Sequence, residues 1–168
     1  MNILVTGGAG FIGSHTLISL VNAGFDPIVV DNLSNSKREA LSRVEKIVGK
    51  KIKFYENDVR DEAALDKIFS ENKIDSVIHF AGLKAVGESV QKPIEYYDNN
   101  IGSTLVLCDV MRKHNVKEIV FSSSATVYGA ATTVPLTEDM PTGATNPYGK
   151  TKLFIEHILS DIFVSDNS

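Results

Sequence analysis

A chain of 168 residues can bury one proper core, so a single domain over 1–168 is expected. Apolar residues at 43%, charged residues at 23% and a net charge of −4 with no basic block fit a soluble globular protein and argue against a nucleic-acid partner. A lone cysteine, Cys108, rules out an intrachain disulfide. With no signal peptide and no run of membrane-spanning length, a cytoplasmic protein without a membrane partner is expected.

Met1 to Thr6 is a short apolar run of strand-forming residues that breaks into Gly7-Gly8-Ala9-Gly10-Phe11-Ile12-Gly13. Ser14 to Val21 then reads as a helix. Strand, glycine turn and helix together are the context in which such glycines mean dinucleotide binding. Gly7 and Gly10 allow a tight turn and close approach of a pyrophosphate, Gly13 allows the helix to pack near the strand, and the helix N-terminus offers free N–H groups. Glycines 8, 10 and 13 satisfy the same spacing, and a bare glycine trio is also what a plain β-to-α turn uses.

Ala23-Gly24 looks like a helix stop, and Pro27 to Asp31 like the second strand. Asp31 stands eighteen residues beyond Gly13, where a doubly wound fold holds the adenosine ribose with an acid. A carboxylate there repels a 2′-phosphate, so NAD is favoured over NADP. Lys37 and Arg38 are read as exposed on the first turns of a helix from Ser36 to Val48. Lys51 to Glu56 alternates like a third strand, and Asp58 beyond it either meets the adenine or serves a turn or the cap of the helix Glu62 to Phe69. The two readings are even.

Asp75 to Phe80 is the fourth strand, and His79 within it reads as a satisfied core histidine, with no metal-ligand spacing around it. Ala81 to Ser89 leaves that strand as a small-residue loop with one lysine, Lys84. Pro93 opens a long helix reaching His114, on which Asn99 and Asn100 are candidates to reach the cofactor and Cys108 is packing. Lys117 to Phe121 is the fifth strand, and Ser122, Ser123 and Ser124 end it on the ligand side of the sheet. A Gly-, Thr- and Pro-rich loop runs from Gly129 to Pro147, a helix continues from Tyr148 through Ile162, and the last three residues are expected to fray. Alternating strands and helices predict an α/β fold: a doubly wound parallel sheet of Rossmann type with helices on both faces.

Tyr148 and Lys152, four apart, share one helix face. A tyrosine serves as a base near neutral pH only if its phenolate is stabilised, and a neighbouring ammonium does that. Ser124 is the third member, a hydroxyl able to bond the reacting alcohol and relay its proton. Tyr-x-x-x-Lys alone is a common accident, and gains meaning from the glycine turn, Asp31 and the serine-ended fifth strand.

This set resembles the extended short-chain dehydrogenase/reductase family. More narrowly, Phe80 to Ser89, Phe121 to Gly129, Asp31 to Ser36 and Tyr96 to Asn100 look like its UDP-glucose 4-epimerase branch. The resemblance implies Tyr148 as base, Ser124 as its partner on the sugar, and Lys152 as the residue that holds the nicotinamide ribose and lowers the tyrosine pKa. It also implies an NAD site lined by Gly7, Gly10, Phe11, Ile12, Gly13, Asp31, Asn32, Leu33, Ser34, Asn35, Ser36, Asp58, Val59, Phe80, Ala81, Gly82, Leu83, Lys84, Asn99 and Ser122. Lys84, Ser124 and Tyr148 would face a UDP-sugar. Dehydratases of the family carry an Asp-Glu pair after the Ser/Thr, where this chain has Ala125 and Thr126, so C4 epimerisation is the better reading. Further strands and a C-terminal uridine-gripping domain, implied by the resemblance, do not follow in this chain. Alternatives are NAD binding without turnover and another nucleotide-sugar oxidoreductase. Apolar strips on helices 93–114 and 148–162 predict a homodimer, as in the resembling epimerases.

Overall fold

The computed structural model describes residues 1–130 and 133–165. Its contacts divide into two compact units, Met1–Ala81 with Leu105–Ser122, and Gly82–Thr104 with Ser123–Ser168. The expectation for residues 166–168 lies outside the described residues.

The first unit is a five-stranded parallel sheet in the order β3-β2-β1-β4-β5. The strands are β1 (Asn2–Thr6), β2 (Asp26–Val30), β3 (Lys53–Tyr55), β4 (Ser76–His79) and β5 (Ile119–Phe121). The order reverses beside β1, which places the switch point at the C-terminal ends of β1 and β4. Period-two side-chain alternation sorts the strands into two cores. Leu4, Ile28 and Val30 pack with Leu65, Ile68 and Phe69 of α3 (Glu62–Glu71) and Leu107, Val110 and Met111 of α6 (Ser103–Lys113). Ile3, Val5 and Val29 pack with Leu17 of α1 (Phe11–Asn22) and Leu41 and Val44 of α2 (Arg38–Val48). Helices cover both faces, as the doubly wound reading requires.

Local chemistry sets the helix ends. Gly24 takes φ +85° just past Ala23, the C-cap of α1, and Gly49 closes α2 in the left-handed region at φ +67°. Asp61 caps α3 by accepting from the Ala64 N–H at 3.0 Å. Cap duty for Asp58 is thereby corrected. Asp58 instead starts the preceding turn: its carbonyl accepts from Asp61 N–H, and its carboxylate from Arg60 N–H.

The second unit holds α4 (Val86–Gln91), α5 (Pro93–Tyr97), a π-helical turn (Asp98–Gly102), a 3₁₀ turn (Ala125–Tyr128) and α7 (Pro147–Ser165). Two expectations are corrected here. The loop after β4 reaches only Ala85 before α4 begins. The helix from Pro93 is not one α-helix, because Asp98–Gly102 widens to π geometry where the Asn100 side chain is drawn inward. The Asn100 carbonyl there accepts from the Ser103 and Thr104 hydroxyls.

His79 is fully buried, its Nδ1 2.6 Å from Thr6 Oγ1, and is a satisfied core histidine. Burial alone pushes the Cys108 thiol up to about 11, which leaves it unreactive and fits packing. Among the described residues no helix is long and apolar enough to cross a membrane, and no cluster of three His, Cys, Asp or Glu side chains could hold a metal.

Candidate active site

The glycine turn of the first unit is shaped by backbone crowding. Gly7 has φ +67°, and a Cβ there would lie 2.7 Å from the Ala81 nitrogen. At Gly13 a Cβ would come within 2.5 Å of the Gly7 carbonyl oxygen and 2.7 Å of Gly8 Cα. Gly13 thus packs α1 onto the turn itself. Gly10, with φ −71° and ψ 175°, has a backbone any residue adopts, and a Cβ there would meet only the Gly7 oxygen, at 3.2 Å. Phe11 and Ile12 follow as exposed side chains on the first turn of α1, and Gly10, at its N-cap, makes no side-chain cap bond.

Asp31, at the C-terminal end of β2, is buried and already tied to its own chain. Oδ2 accepts from the Ala9 N–H at 3.0 Å, and Oδ1 from the Leu33 N–H at 2.9 Å and the Ser36 hydroxyl at 2.8 Å. A carboxylate offers about four acceptor positions, so capacity for a further donor remains on Oδ2. Leu33 sits at φ +56° in the turn that Asp31 holds. Asn32 accepts from the Ser34 N–H and donates to Asp58 Oδ2, while Asn35 is exposed. The Arg60 side chain, its backbone N–H and Asn32 hold the Asp58 carboxyl down at about 2. Val59 points into the first core, and Phe80 and Ala81 pack against the two cores. Arg38, exposed as expected, pairs with Glu56 and lies over the Phe54 ring. Ser122 donates its N–H to the His79 carbonyl.

In the second unit the loop after Ala81 is bolted at two points. Gly82 turns at φ +159°, and the fully buried Asn100 clasps Leu83 from both sides, accepting its N–H at 2.8 Å and donating to its carbonyl at 2.9 Å. Tyr96 Oη accepts from the Ala85 N–H at 3.0 Å and donates to Glu88. Lys84 lies between these bolts with its side chain exposed. Asn100 also donates to Thr151 Oγ1, whose hydroxyl bonds the Tyr148 carbonyl. Of the two asparagine candidates, Asn100 is spent on its own chain, and Asn99 donates to it.

Helix α7 starts where Asn146 accepts the Gly149 N–H at 2.8 Å, a side-chain N-cap. That fixes Tyr148, half-buried, on the first turn, and Lys152 one turn on. The Lys152 ammonium lies 6.0 Å from the Tyr148 ring centroid, and burial lowers its pKa to about 8, still protonated for the most part at neutral pH. Ser124 caps the 3₁₀ turn, its Oγ 3.2 Å from the Thr126 N–H and 2.9 Å from the Thr126 hydroxyl. Neighbouring Ser123 donates to Glu156, one turn beyond Lys152 on α7. Sequence reasoning missed the parts played by Tyr96, Asn146, Thr151 and Glu156. Only Asn146, a polar residue just ahead of Pro147, carried a readable signal.

A family model described as GDP-mannose 4,6-dehydratase matches residues 4–167. The UDP-glucose 4-epimerase of Bacillus subtilis is 61% identical over 167 residues, spanning 99% of this chain and 49% of that protein. That of Dictyostelium discoideum is 62% identical over 164 residues, spanning 98% of this chain and 48% of its own. Among solved structures, UDP-glucose 4-epimerase from Bifidobacterium longum in complex with NAD+ and UDP superposes with a TM-score of 0.97 at 65% identity, over 99% of this chain and 50% of that one. The chain thus spans about half the length of the relatives it matches.

Proposed function

The chain belongs to the family described as GDP-mannose 4,6-dehydratase, and on that footing we propose that it supplies the NAD-binding and catalytic part of a UDP-hexose 4-epimerase. The observation that carries the reading is the buried Lys152, still mostly protonated at neutral pH, one helical turn from Tyr148. The epimerase names of its relatives and the Ala125-Thr126 pair, which carries no acid, favour epimerisation over dehydration.

The first unit fits a dinucleotide. Its turn has three glycines pressed by neighbouring atoms and a fourth, Gly10, whose own backbone sets no such demand, as a site for a close phosphate would have. Asp31, with Asn32 to Ser36 behind it, is assigned to the adenosine ribose, and Asp58 and Val59 to the adenine side. Phe80 to Lys84, Asn99, Ser122 and Lys152 are assigned to the nicotinamide side. Residues 1–168 then act as one dinucleotide-binding domain.

Bound NAD supplies the acceptor and later the donor of hydride. Tyr148, with the Lys152 ammonium one helical turn away, takes the proton of the sugar 4-hydroxyl. Ser124 holds that oxygen by a hydrogen bond, and Lys84 faces the sugar nucleotide. After the 4-keto sugar has turned over, Tyr148 returns the proton to the same oxygen and the other C4 epimer leaves.

Incubation with UDP-galactose and NAD, with UDP-glucose separated and quantified by chromatography and NADH followed by its absorbance, tests the reading. UDP-glucose formation without net NADH supports it, and net NADH accumulation points to a different nucleotide-sugar oxidoreductase. A second reading is NAD binding without turnover. Tight NAD binding with no UDP-glucose in the same assay would establish it.

The reading includes a homodimer through helices 93–114 and 148–162. Within the second unit, Ile94 at 78%, Phe154 at 43% and Ile162 at 40% exposure support it, as apolar surface that a partner would cover. Sedimentation equilibrium that stays monomeric at every concentration would remove the dimer. The single cysteine supports a cytoplasmic location.

A further inference from the structure

Thr126 is one of the two residues standing where the family's dehydratases carry acids, and the reaction proposed above leaves it without a task. Yet it touches both sides of the chemistry within the second unit. Its N–H and its hydroxyl lie 3.2 and 2.9 Å from Ser124 Oγ. Its carbonyl and hydroxyl oxygens lie 3.0 and 3.2 Å from where a Cβ on Gly149 would stand. Gly149 directly follows Tyr148, so the absence of a side chain there lets Thr126 press against the first turn of α7.

A serine hydroxyl can make three hydrogen bonds, one donated and two accepted. The Thr126 N–H takes one accepting position of Ser124, and the Thr126 hydroxyl takes a second position. One is left. The backbone around Ser124 is held by other groups: Ser123 donates to Glu156 on α7, the Ser124 carbonyl accepts from Val127 N–H, and Val127 in turn accepts from Gly143 N–H. What those bonds do not set is the direction of the Ser124 hydroxyl about its own Cα–Cβ bond. Thr126 sets it.

We propose that Thr126 is a positioning residue for the C4 chemistry, taking two of the three hydrogen-bonding positions of Ser124 and reserving the third for the sugar oxygen being oxidised and reduced. This rests on the epimerase reading. Because a half-buried hydroxyl with two of its three positions taken has little rotational freedom left, the hydrogen bond to the sugar forms with little ordering cost in the transition state.

The test compares the NAD-loaded protein with Thr126→Val, which keeps the N–H and the branched shape but loses the hydroxyl, and with Thr126→Ser, which restores it. Thr126→Val should lower kcat for UDP-galactose roughly tenfold with KM changed less than about twofold, and Thr126→Ser should return to within about threefold of the parent. In a Ser124→Ala background, Thr126→Val should add no further loss, because the group it positions is gone. Parent-like kcat in Thr126→Val, a Thr126→Ser protein as slow as Thr126→Val, or a fully additive double variant each overturns the proposal while leaving the epimerase reading standing. A parent that binds NAD but never converts UDP-galactose overturns the epimerase reading and this proposal with it.

Discussion

The Lys152 ammonium nitrogen lies 6.0 Å from the centroid of the Tyr148 ring, on the same face of one helix. The pair is held there by its own chain: Asn146 caps the helix start, and Thr151, between the two, is bonded to Asn100. Tyr148→Phe keeps the ring and its packing but removes the proton acceptor. It should cut UDP-hexose conversion by a factor of roughly 10² or more while leaving the NAD dissociation constant within about threefold. Rapid-quench turnover together with calorimetric NAD titration checks both halves.

Burial of Lys152 has a consequence for stability. Folding lowers its pKa from 10.5 to about 8, so between those values the unfolded chain holds a proton that the folded chain has lost. Stability therefore rises with pH across that window, and the whole penalty is present below pH 8. At about 1.4 kcal/mol per pH unit, Lys152→Met should stabilise the NAD-free chain by roughly 2–3 kcal/mol at pH 7, with the gain shrinking as pH approaches 10. Urea unfolding at pH 7 and pH 9.5 measures it, and an equal gain at both pH values would contradict the burial account.

On the proposed assignment of Asp31 to the adenosine ribose, its carboxylate, already holding Ala9, Leu33 and Ser36, would face a 2′-phosphate. NAD should bind more than about tenfold tighter than NADP, since two anions would face each other at short range. Calorimetry with both ligands decides it, and a tighter NADP would remove the assignment of Asp31 to the ribose.

Gly13→Ala sets a Cβ 2.5 Å from the Gly7 oxygen and 2.7 Å from Gly8 Cα, both backbone atoms. The turn must shift. A loss of about 1–3 kcal/mol in stability is expected from overpacking, with weaker NAD binding. Gly10→Ala, with only the Gly7 oxygen at 3.2 Å, should lose less stability. Thermal unfolding of the two variants, with and without NAD, separates packing from cofactor contact.

Much of this was legible in residue order. Alternation in β1 and β2 sorts Leu4, Ile28 and Val30 from Ile3, Val5 and Val29, and the glycine spacing, Asp31 and Tyr148-x-x-x-Lys152 announce their own geometry. Other features were decided by partners far along the chain. Asn100 reads in the sequence as a residue reaching for the cofactor, until Leu83, 17 residues away, and Thr151, 51 residues away, come to it. Helix α4 hid behind Gly87 and a run of only six residues, and it is tied down by Tyr96 through Glu88 and Ala85. Asp58 reads evenly as an adenine contact or as a turn or cap residue, and the cap falls to Asp61, which directly precedes the helix.

The proposed reaction is oxidation and re-reduction at one sugar carbon, with Tyr148 moving the proton. Its most direct test is to supply UDP-galactose deuterated at C4, with NAD in ordinary water, and to read the label in the UDP-glucose formed by mass spectrometry and NMR. Retention of the deuterium at C4 with inverted configuration, lost together with turnover in Tyr148→Phe, is the predicted result. UDP-glucose carrying hydrogen from solvent at C4, or unchanged conversion by Tyr148→Phe, would contradict it.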